Sequence, residues 1–351
     1  MFFRPLSSSI VLLMLSASGC AAEAVDAPPV ATSEEALTAG APSLPAEVAA
    51  LLRGEALPAG ALDKLHTIEH QVPVGPGRKI HLTETFTLRA WLRWPHRALL
   101  MLPGPLTSGD FYQIDADGYR GRDLVAARGI FAVTADFEGT GKSTFPTDGK
   151  TVTLDGQAAA MHKVVQYLRL VRLTPKVDVL GESWGGGVAA ELCADRIRVR
   201  SCVLASMLYK TASPFADASF RSPGFRAFLD TLPNGYFPTA APVYAGLLAS
   251  SPPSVQTWAS ANLPGTYTTR PLYDVFDLPF FSPGLARAPG LIVQGELDPN
   301  QALSDSLELA ADYGTGGAAL QVIEGGGHIP RIESPPSNTR YWSSVLGFLD
   351  P

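Results

Sequence analysis

The sequence predicts an α/β fold with a doubly wound, mostly parallel sheet, and three observations carry this prediction. Short apolar runs alternate with helical stretches between residues 66 and 323, as in a sheet that is covered by helices on both faces. The runs at 66–74 and 79–91 have no helix between them, which predicts an antiparallel edge. A further apolar run ends in Gly-x-Ser-x-Gly at 181–185, the pattern of a sharp turn from strand to helix.

The elements follow from the spacing of apolar residues. In the stretch 155–172, Val164, Leu168 and Val171 recur at near-helical intervals, so this helix should pack one face on the sheet. Strands are predicted at 66–74, 79–91, 98–102, 130–135, 177–180, 202–206, 291–294 and 320–323, with helices at 121–128, 155–172, 187–196 and 305–313.

Residues 1–20 have the features of a secretory signal peptide. Arg4 is followed by an apolar run at 10–15, which is too short to span a bilayer as a mature helix. The small residues before Cys20 resemble the bacterial lipobox, and this resemblance implies that Cys20 is diacylated and attaches the protein to a membrane. Ordinary cleavage with release is the alternative, so we expect an exported protein that faces the periplasm or the exterior.

Residues 21–50 are predicted to be a flexible tether. They are rich in Ala, Pro, Glu and Thr and contain no aromatic residue, so they offer too little apolar bulk to offset the entropy of ordering. The whole chain has a formal net charge of −6 and no basic run, which argues against a nucleic-acid partner.

The turn at 181–185 places Ser183 between a buried strand and a helix. Gly181 and Gly185 flank it because strand and helix approach so closely there that a Cβ atom would clash. The turn forces Ser183 into a strained backbone conformation that exposes its hydroxyl. The helix that follows directs its first N–H groups, beginning with Trp184, at any negative charge that develops beside Ser183.

Two further candidates follow late strands. Asp298 ends a Gly-x-x-Asp pattern after the strand at 291–294, and His328 lies in a Gly-rich loop after the strand at 320–323. Glycines there allow the backbone to bring the imidazole over the sheet edge to the serine. Glu296 is the competing acid, but we expect it to face away from the site. Asp305 is expected to be a solvated cap on the next helix.

Together these motifs resemble the α/β-hydrolase superfamily over nearly all of residues 60–351. The resemblance implies a catalytic triad in the chain order Ser183, Asp298, His328. In it, His328 takes the Ser183 proton as a base and returns it to the leaving group, while Asp298 orients the imidazole. No cofactor is implied, and no convincing metal-ligand spacing occurs in the sequence.

The resemblance also implies two N–H donors for the oxyanion of the tetrahedral intermediate. One is the amide of Trp184. The other normally comes from the loop after the third strand, which here reads Leu-Pro-Gly-Pro-Leu at 102–106. Pro105 occupies the usual donor position and has no N–H, so we predict Leu106 as the second donor.

The long connection at 209–286 resembles the cap that many members of the superfamily carry. We therefore predict a hydrolase core at 51–208 and 287–351, with a mainly helical cap inserted between its two parts. The cap is rich in aromatic residues. Most of them are expected to form the cap's own core, and a few to line an apolar substrate pocket.

The expected activity is cleavage of small-molecule carboxylic esters through an acyl-Ser183 intermediate. Two alternatives stay open: an aminopeptidase-like amide hydrolase, in which Glu182 or acidic residues of the cap bind a free amine, and a non-catalytic surface binding protein on the same scaffold. Cys193 and Cys202 either pair as a disulfide or remain two free buried thiols, and the sequence does not decide between these states.

Overall fold

A computed structural model describes residues 57–239, 248–262 and 264–350, together with residues 46, 47, 50 and 53. The predicted signal peptide with Cys20 and nearly all of the predicted tether lie outside the described residues. None of the described helices is both long enough and apolar enough to span a bilayer.

Ten strands are found in the described part of the chain. They are β1 Leu65–Gly75, β2 Arg78–Thr87, β3 Ala98–Leu102, β4 Phe131–Ala135, β5 Val177–Glu182, β6 Val199–Ala205, β7 Tyr236–Pro238, β8 Thr266–Thr268, β9 Gly290–Gly295 and β10 Ala318–Ile323.

Eight of these strands form one sheet in the order β1-β2-β4-β3-β5-β6-β9-β10. The first two strands pair antiparallel with each other, and β2 pairs antiparallel with β4. All other neighbours in this sheet are parallel. The predicted doubly wound, mostly parallel sheet with an antiparallel edge is therefore confirmed.

The described helices cover the sheet on both faces. On β3, Leu100 and Leu102 face a core cluster that includes α3, α4 and α9, whereas Leu99 and Met101 face a second cluster that includes α2 and α10. The helices are α1 Leu88–Leu92, α2 Gly121–Ala126, α3 Leu154–Leu170, α4 Trp184–Leu192, α5 Pro214–Ala218, α6 Pro223–Thr231, α7 Pro253–Ala261, α8 Arg270–Asp274, α9 Leu303–Asp312 and α10 Ser337–Leu349.

The second predicted strand was too long at its C-terminal end. The strand ends at Thr87, whose side-chain oxygen accepts a hydrogen bond from the amide of Ala90 at 3.2 Å and caps the short helix α1. Such a side-chain cap satisfies an N–H group that a helix start leaves free, so the backbone turns into a helix where the sequence suggested a continuing strand.

The connection between β6 and β9 contains α5 to α8 and the two-stranded antiparallel pair β7-β8. Its helices are short, and its own apolar cluster is built on Leu229, Phe237 and Leu272. Residues 240–247 of this segment lie outside the described residues.

The start of this connection is attached to helix α9 by Asp305. The prediction of a solvated cap was wrong, because Asp305 is buried and its carboxylate accepts hydrogen bonds from the amides of Tyr209, Lys210 and Thr211, each at 2.8 Å. Three amide donors satisfy a carboxylate that burial would otherwise disfavour.

The two cysteines that the sequence left undecided form a disulfide. Cys193 follows the last residue of α4, and Cys202 lies in β6. Both side chains are buried in the core on the α4 face of the sheet. The bond therefore fixes the C-terminal end of α4 to its neighbouring strand.

Candidate active site

Ser183 stands at the turn between β5 and α4 in a backbone conformation that L-residues rarely adopt. Its φ is 52° and its ψ is −127°, in a region that costs about 1–3 kcal/mol for a residue with a side chain. Such strain persists only where the surrounding structure enforces it. The predicted strand-to-helix turn is therefore present, with Ser183 as its strained residue.

The flanking glycines are required by close packing, as the sequence analysis predicted. A Cβ atom on Gly181 would lie only 2.7 Å from the Cβ of Ala189, and one on Gly185 would lie 2.8 Å from the carbonyl oxygen of Leu102. Gly104, in the loop after β3, also packs closely on the turn: a Cβ atom there would lie 3.2 Å from the Cβ of Ser183. The loop after β3 thus lies directly against Ser183.

The loops that carry Asp298 and His328 are joined through their backbones. The amide of Leu297 donates to the carbonyl oxygen of Gly326 at 2.7 Å. Glycine is needed at 295, because a Cβ there would lie 2.6 Å from the same carbonyl oxygen. Glu296 is exposed and accepts a hydrogen bond from the amide of Gly325 at 2.8 Å, whereas the carboxylate that contacts His328 is that of Asp298.

The three predicted residues meet at the carboxyl end of the sheet. His328 Nε2 lies 3.3 Å from Ser183 Oγ, across a sequence separation of 145 residues. His328 Nδ1 lies 2.9 Å and 3.1 Å from the two carboxylate oxygens of Asp298. An imidazole placed in this way can take a proton from the hydroxyl while the carboxylate holds its other nitrogen as a donor.

The surroundings of His328 favour its protonated form. Burial lowers the pKa of the imidazole, but the charge and hydrogen bond of Asp298, with the charges of Glu182 and Glu333, raise it by more. The net effect is a His328 pKa above its ordinary value of 6.5. Glu333 also positions the histidine loop, because its carboxylate accepts the amide of Gly327 at 2.8 Å and 3.0 Å.

A buried ion pair connects the serine turn to the histidine loop. Arg331 donates to the two carboxylate oxygens of Glu182 at 2.6 Å and 3.0 Å, and each side chain is only 2% exposed. The same guanidinium donates to the carbonyl oxygen of Phe111 and lies over the ring of Tyr112, 4.2 Å from its centroid. Three loops around the site are therefore held by one arginine.

Arg331 was missed by the sequence analysis. Its only local signal is a single basic residue three positions after His328, and its partner Glu182 is 149 residues away. One alternative from the sequence assigns Glu182 the binding of a substrate amine. That interpretation was wrong, because the carboxylate is buried and already neutralised by Arg331.

Trp184 connects the serine turn to the inserted segment. Its indole Nε1 donates to Asp274 of α8 at 2.9 Å, and its ring meets that of Phe137 edge-on, 5.2 Å between centroids. The other oxygen of Asp274 accepts from Arg270 at 2.7 Å. As the first residue of α4, Trp184 has an amide N–H with no acceptor inside the helix, which leaves that N–H available to an oxyanion beside Ser183.

Leu106, the second predicted donor, lies in the loop after β3 with a φ of 65°. No carbonyl group of the described backbone accepts a hydrogen bond from its amide. Its side chain packs against Leu229, Phe237 and Leu272 of the inserted segment. The role of Leu106 as an oxyanion donor stays a prediction.

The part of the chain that the structure describes offers no cluster of metal ligands. No group of three or more His, Cys, Asp and Glu side chains is placed there to hold a metal ion. The polar groups near Ser183 are instead paired with one another or with backbone amides, as described above.

Several solved structures of low sequence identity have a similar fold. The thioesterase domain from the curacin biosynthetic pathway is 18% identical with a TM-score of 0.57, and the alignment covers 80% of this chain and 99% of that chain. E-2-(acetamidomethylene)succinate hydrolase is 15% identical with a TM-score of 0.60, and the alignment covers 82% of this chain and 100% of that chain. A membrane phospholipase A described as a bacterial virulence factor is 19% identical with a TM-score of 0.55, and the alignment covers 87% of this chain and 91% of that chain.

No curated protein matches this chain in sequence. The sequence model of the alpha/beta hydrolase family, in contrast, matches residues 99–338, which is more than half of the chain. The matched range includes the serine turn, the acid and the histidine. The chain therefore belongs to the alpha/beta hydrolase family.

Proposed function

We propose that this protein is a serine hydrolase that cleaves carboxylic esters through an acyl-Ser183 intermediate. The observation that carries the proposal is the position of His328, with Nε2 at 3.3 Å from Ser183 Oγ and Nδ1 at 2.9 Å from Asp298. The strained backbone of Ser183 supports it further, because such conformations concentrate at functional sites.

Acylation begins when Ser183 Oγ attacks the ester carbonyl and His328 Nε2 takes the hydroxyl proton. The tetrahedral oxyanion accepts hydrogen bonds from the amides of Trp184 and, in our proposal, Leu106. Collapse breaks the bond to the alkoxy group, which takes the proton from His328 and leaves as the alcohol. Water then attacks the acyl-enzyme by the same route and releases the carboxylic acid.

An ester substrate is favoured over an amide because the carboxylates of Glu182 and Asp274 are already paired with other side chains. An aminopeptidase-like enzyme needs a free carboxylate to hold the substrate ammonium group. Glu182 is paired with Arg331, and Asp274 of the inserted segment is paired with Trp184 and Arg270. Neither carboxylate is available to a substrate. The amide hydrolase remains the second candidate, since acidic residues elsewhere in the insertion are not tested by this observation.

We also propose that the protein is exported and attached to a membrane through Cys20. The disulfide between Cys193 and Cys202 supports export, because disulfides persist in oxidising compartments and are rare in the cytosol. A diacylated Cys20 would attach the protein without a spanning helix.

Active-site labelling and a substrate panel test the proposed reaction. We expect a fluorophosphonate probe to label the wild type but not Ser183→Ala, because the probe requires an activated serine. We further expect turnover of nitrophenyl esters and not of aminoacyl anilides. Ser344→Ala, on α10, is the control and should be labelled like the wild type.

Two results would contradict this reading. Anilide cleavage without ester cleavage would favour the amide hydrolase. A folded wild type that takes up no probe would favour a non-catalytic binding protein on the same scaffold.

The pH dependence provides an independent prediction. His328 acts as a base only when neutral, so kcat/KM should fall as the pH drops through its pKa, which lies above 6.5. Glu333→Gln removes one of the charges that raise this pKa, while its amide oxygen can still accept from Gly327. We expect the acidic limb of the profile to move to lower pH in this variant.

Glu324→Gln is the matched control for the pH profile. Glu324 is 75% exposed, lies in the same loop, and does not contribute to the raised pKa of His328. An acidic limb that moved equally in both variants, or in neither, would contradict the assignment of this limb to His328.

A further inference from the structure

Exposed apolar side chains gather at the end of the sheet where β3 and β5 begin. Trp94 is 71% exposed, Leu170 67% and Leu92 54%, and Val171 and Leu173 are exposed as well. We call these five residues the apolar patch. They lie on two connections, one from α1 to β3 and the other from α3 to β5.

His96 holds the two connections together. One ring nitrogen lies 2.6 Å from the carbonyl oxygen of Arg172 and the other lies 2.8 Å from that of Trp91. The guanidinium of Arg172 also lies over the Trp91 ring, 5.4 Å from a ring centroid. These contacts bring the two connections together, and the patch residues are their neighbours in sequence.

The two segments that carry the patch contain charges of one sign only. The segments 88–99 and 163–177 contain seven Lys and Arg residues and no Asp or Glu, in a chain with a net charge of −6. Of these seven residues, three form salt bridges in the described structure: Arg89, Arg97 and Arg172. No salt bridge of the described structure involves the other four: Arg93, Lys163, Arg169 and Lys176.

The chain that precedes the fold arrives at the same end. Glu47 pairs with Lys64 at 2.7 Å, and Asp63 pairs with Arg89 of α1 at 2.7 Å. Helix α1 ends at Leu92, a patch residue. The first described residues of the chain therefore lie near the end of the fold that carries the apolar patch.

We propose that the apolar patch docks on an anionic membrane surface. Its apolar side chains would enter the interface between headgroups and acyl chains, where Trp94 matches the preference of tryptophan for that zone. The four cations that form no salt bridge would lie against lipid phosphates. A nucleic-acid partner would use the cations but would gain little from five exposed apolar side chains, so lipid is the occupant that fits both features.

Vesicle binding tests this surface without dependence on hydrolysis. The full chain with Cys20→Ser, which carries no acyl group, is mixed with vesicles of phosphatidylcholine alone or with about 30% phosphatidylglycerol, which gives the vesicle surface a negative potential. We expect co-sedimentation with the anionic vesicles that weakens as salt is raised. Trp94→Glu/Leu170→Glu should lower vesicle affinity by about 10-fold or more.

Leu307→Glu is the matched control, because Leu307 on α9 is 56% exposed and lies outside the patch. It should bind vesicles like the parent. Unchanged melting temperature and fluorophosphonate labelling would show that each variant is folded. Arg93→Gln/Lys176→Gln should weaken binding to the anionic vesicles only.

Three results would overturn the proposal. One is a parent protein that binds neither kind of vesicle, and another is patch variants that bind as well as the parent. The third is a patch that mediates dimer formation or duplex DNA binding in place of vesicle binding.

Discussion

Ser183→Ala is expected to lower kcat for ester hydrolysis by about 10⁶-fold, because the nucleophile of the proposed acyl-enzyme is lost. His328→Ala should cost about as much, since the hydroxyl at 3.3 Å from Nε2 is not activated without its base. The double variant should be no slower than either single variant, because residues that act as one unit have strongly non-additive effects.

Steady-state kinetics with a nitrophenyl ester, at matched protein stability, measure these losses. Asp298→Ala should cost less, about 10⁴-fold, since it removes the orienting group and leaves the nucleophile and base in place. Losses in the double variant that equal the product of the two single losses would contradict a concerted Ser183–His328 unit. A Ser183→Ala variant with more than a tenth of wild-type activity would contradict the whole site.

Arg331→Met is expected to destabilise the fold by about 3–5 kcal/mol, because it leaves the buried carboxylate of Glu182 without its partner. The ion pair is buried on both sides, and its guanidinium also holds Phe111 and Tyr112. Urea unfolding measures the loss. Since the pair joins the serine turn to the histidine loop, kcat should fall even where the variant remains folded.

Arg340→Met provides the control for this prediction. Arg340 pairs with Glu324 at 2.9 Å on the surface, with 43% and 75% of the side chains exposed, and such pairs contribute about 1 kcal/mol or less. The double variant Glu182→Gln/Arg331→Met should recover part of the stability, because the buried charge is gone. An Arg331→Met variant as stable as Arg340→Met would contradict the role assigned to the pair.

The sequence predicted the parts of the fold that have local signals. Apolar runs placed the strands of the main sheet, and the missing helix between the first two runs predicted the antiparallel edge. The order serine, acid, histidine, each in a loop after a strand, identified the three side chains that meet in the structure. These signals are local because a parallel sheet alternates strands with helices and because the catalytic loops follow the strands directly.

What the sequence did not reveal depends on contacts between distant residues. No residue near Arg331 in the sequence indicates that Glu182 is its partner. Likewise, no residue near Asp305 indicates that its carboxylate accepts hydrogen bonds from the amides at 209–211. The cysteine pair stayed open because sequence does not give a separation between side chains. At 88–91 a strand was predicted, since a side-chain cap by Thr87 is a weak signal beside a continuing apolar run.

The direction of the parallel strands has a consequence for where this enzyme meets its substrate. Strand β5 has six residues and so spans about 20 Å, with Lys176 and Leu173 preceding its start and Ser183 following its end. If the apolar patch docks on the bilayer as we propose, Ser183 would lie at the opposite end of β5, about 20 Å farther from the lipid surface. If this proposed orientation is correct, we expect substrates that reach Ser183 from solution and not from the supporting leaflet.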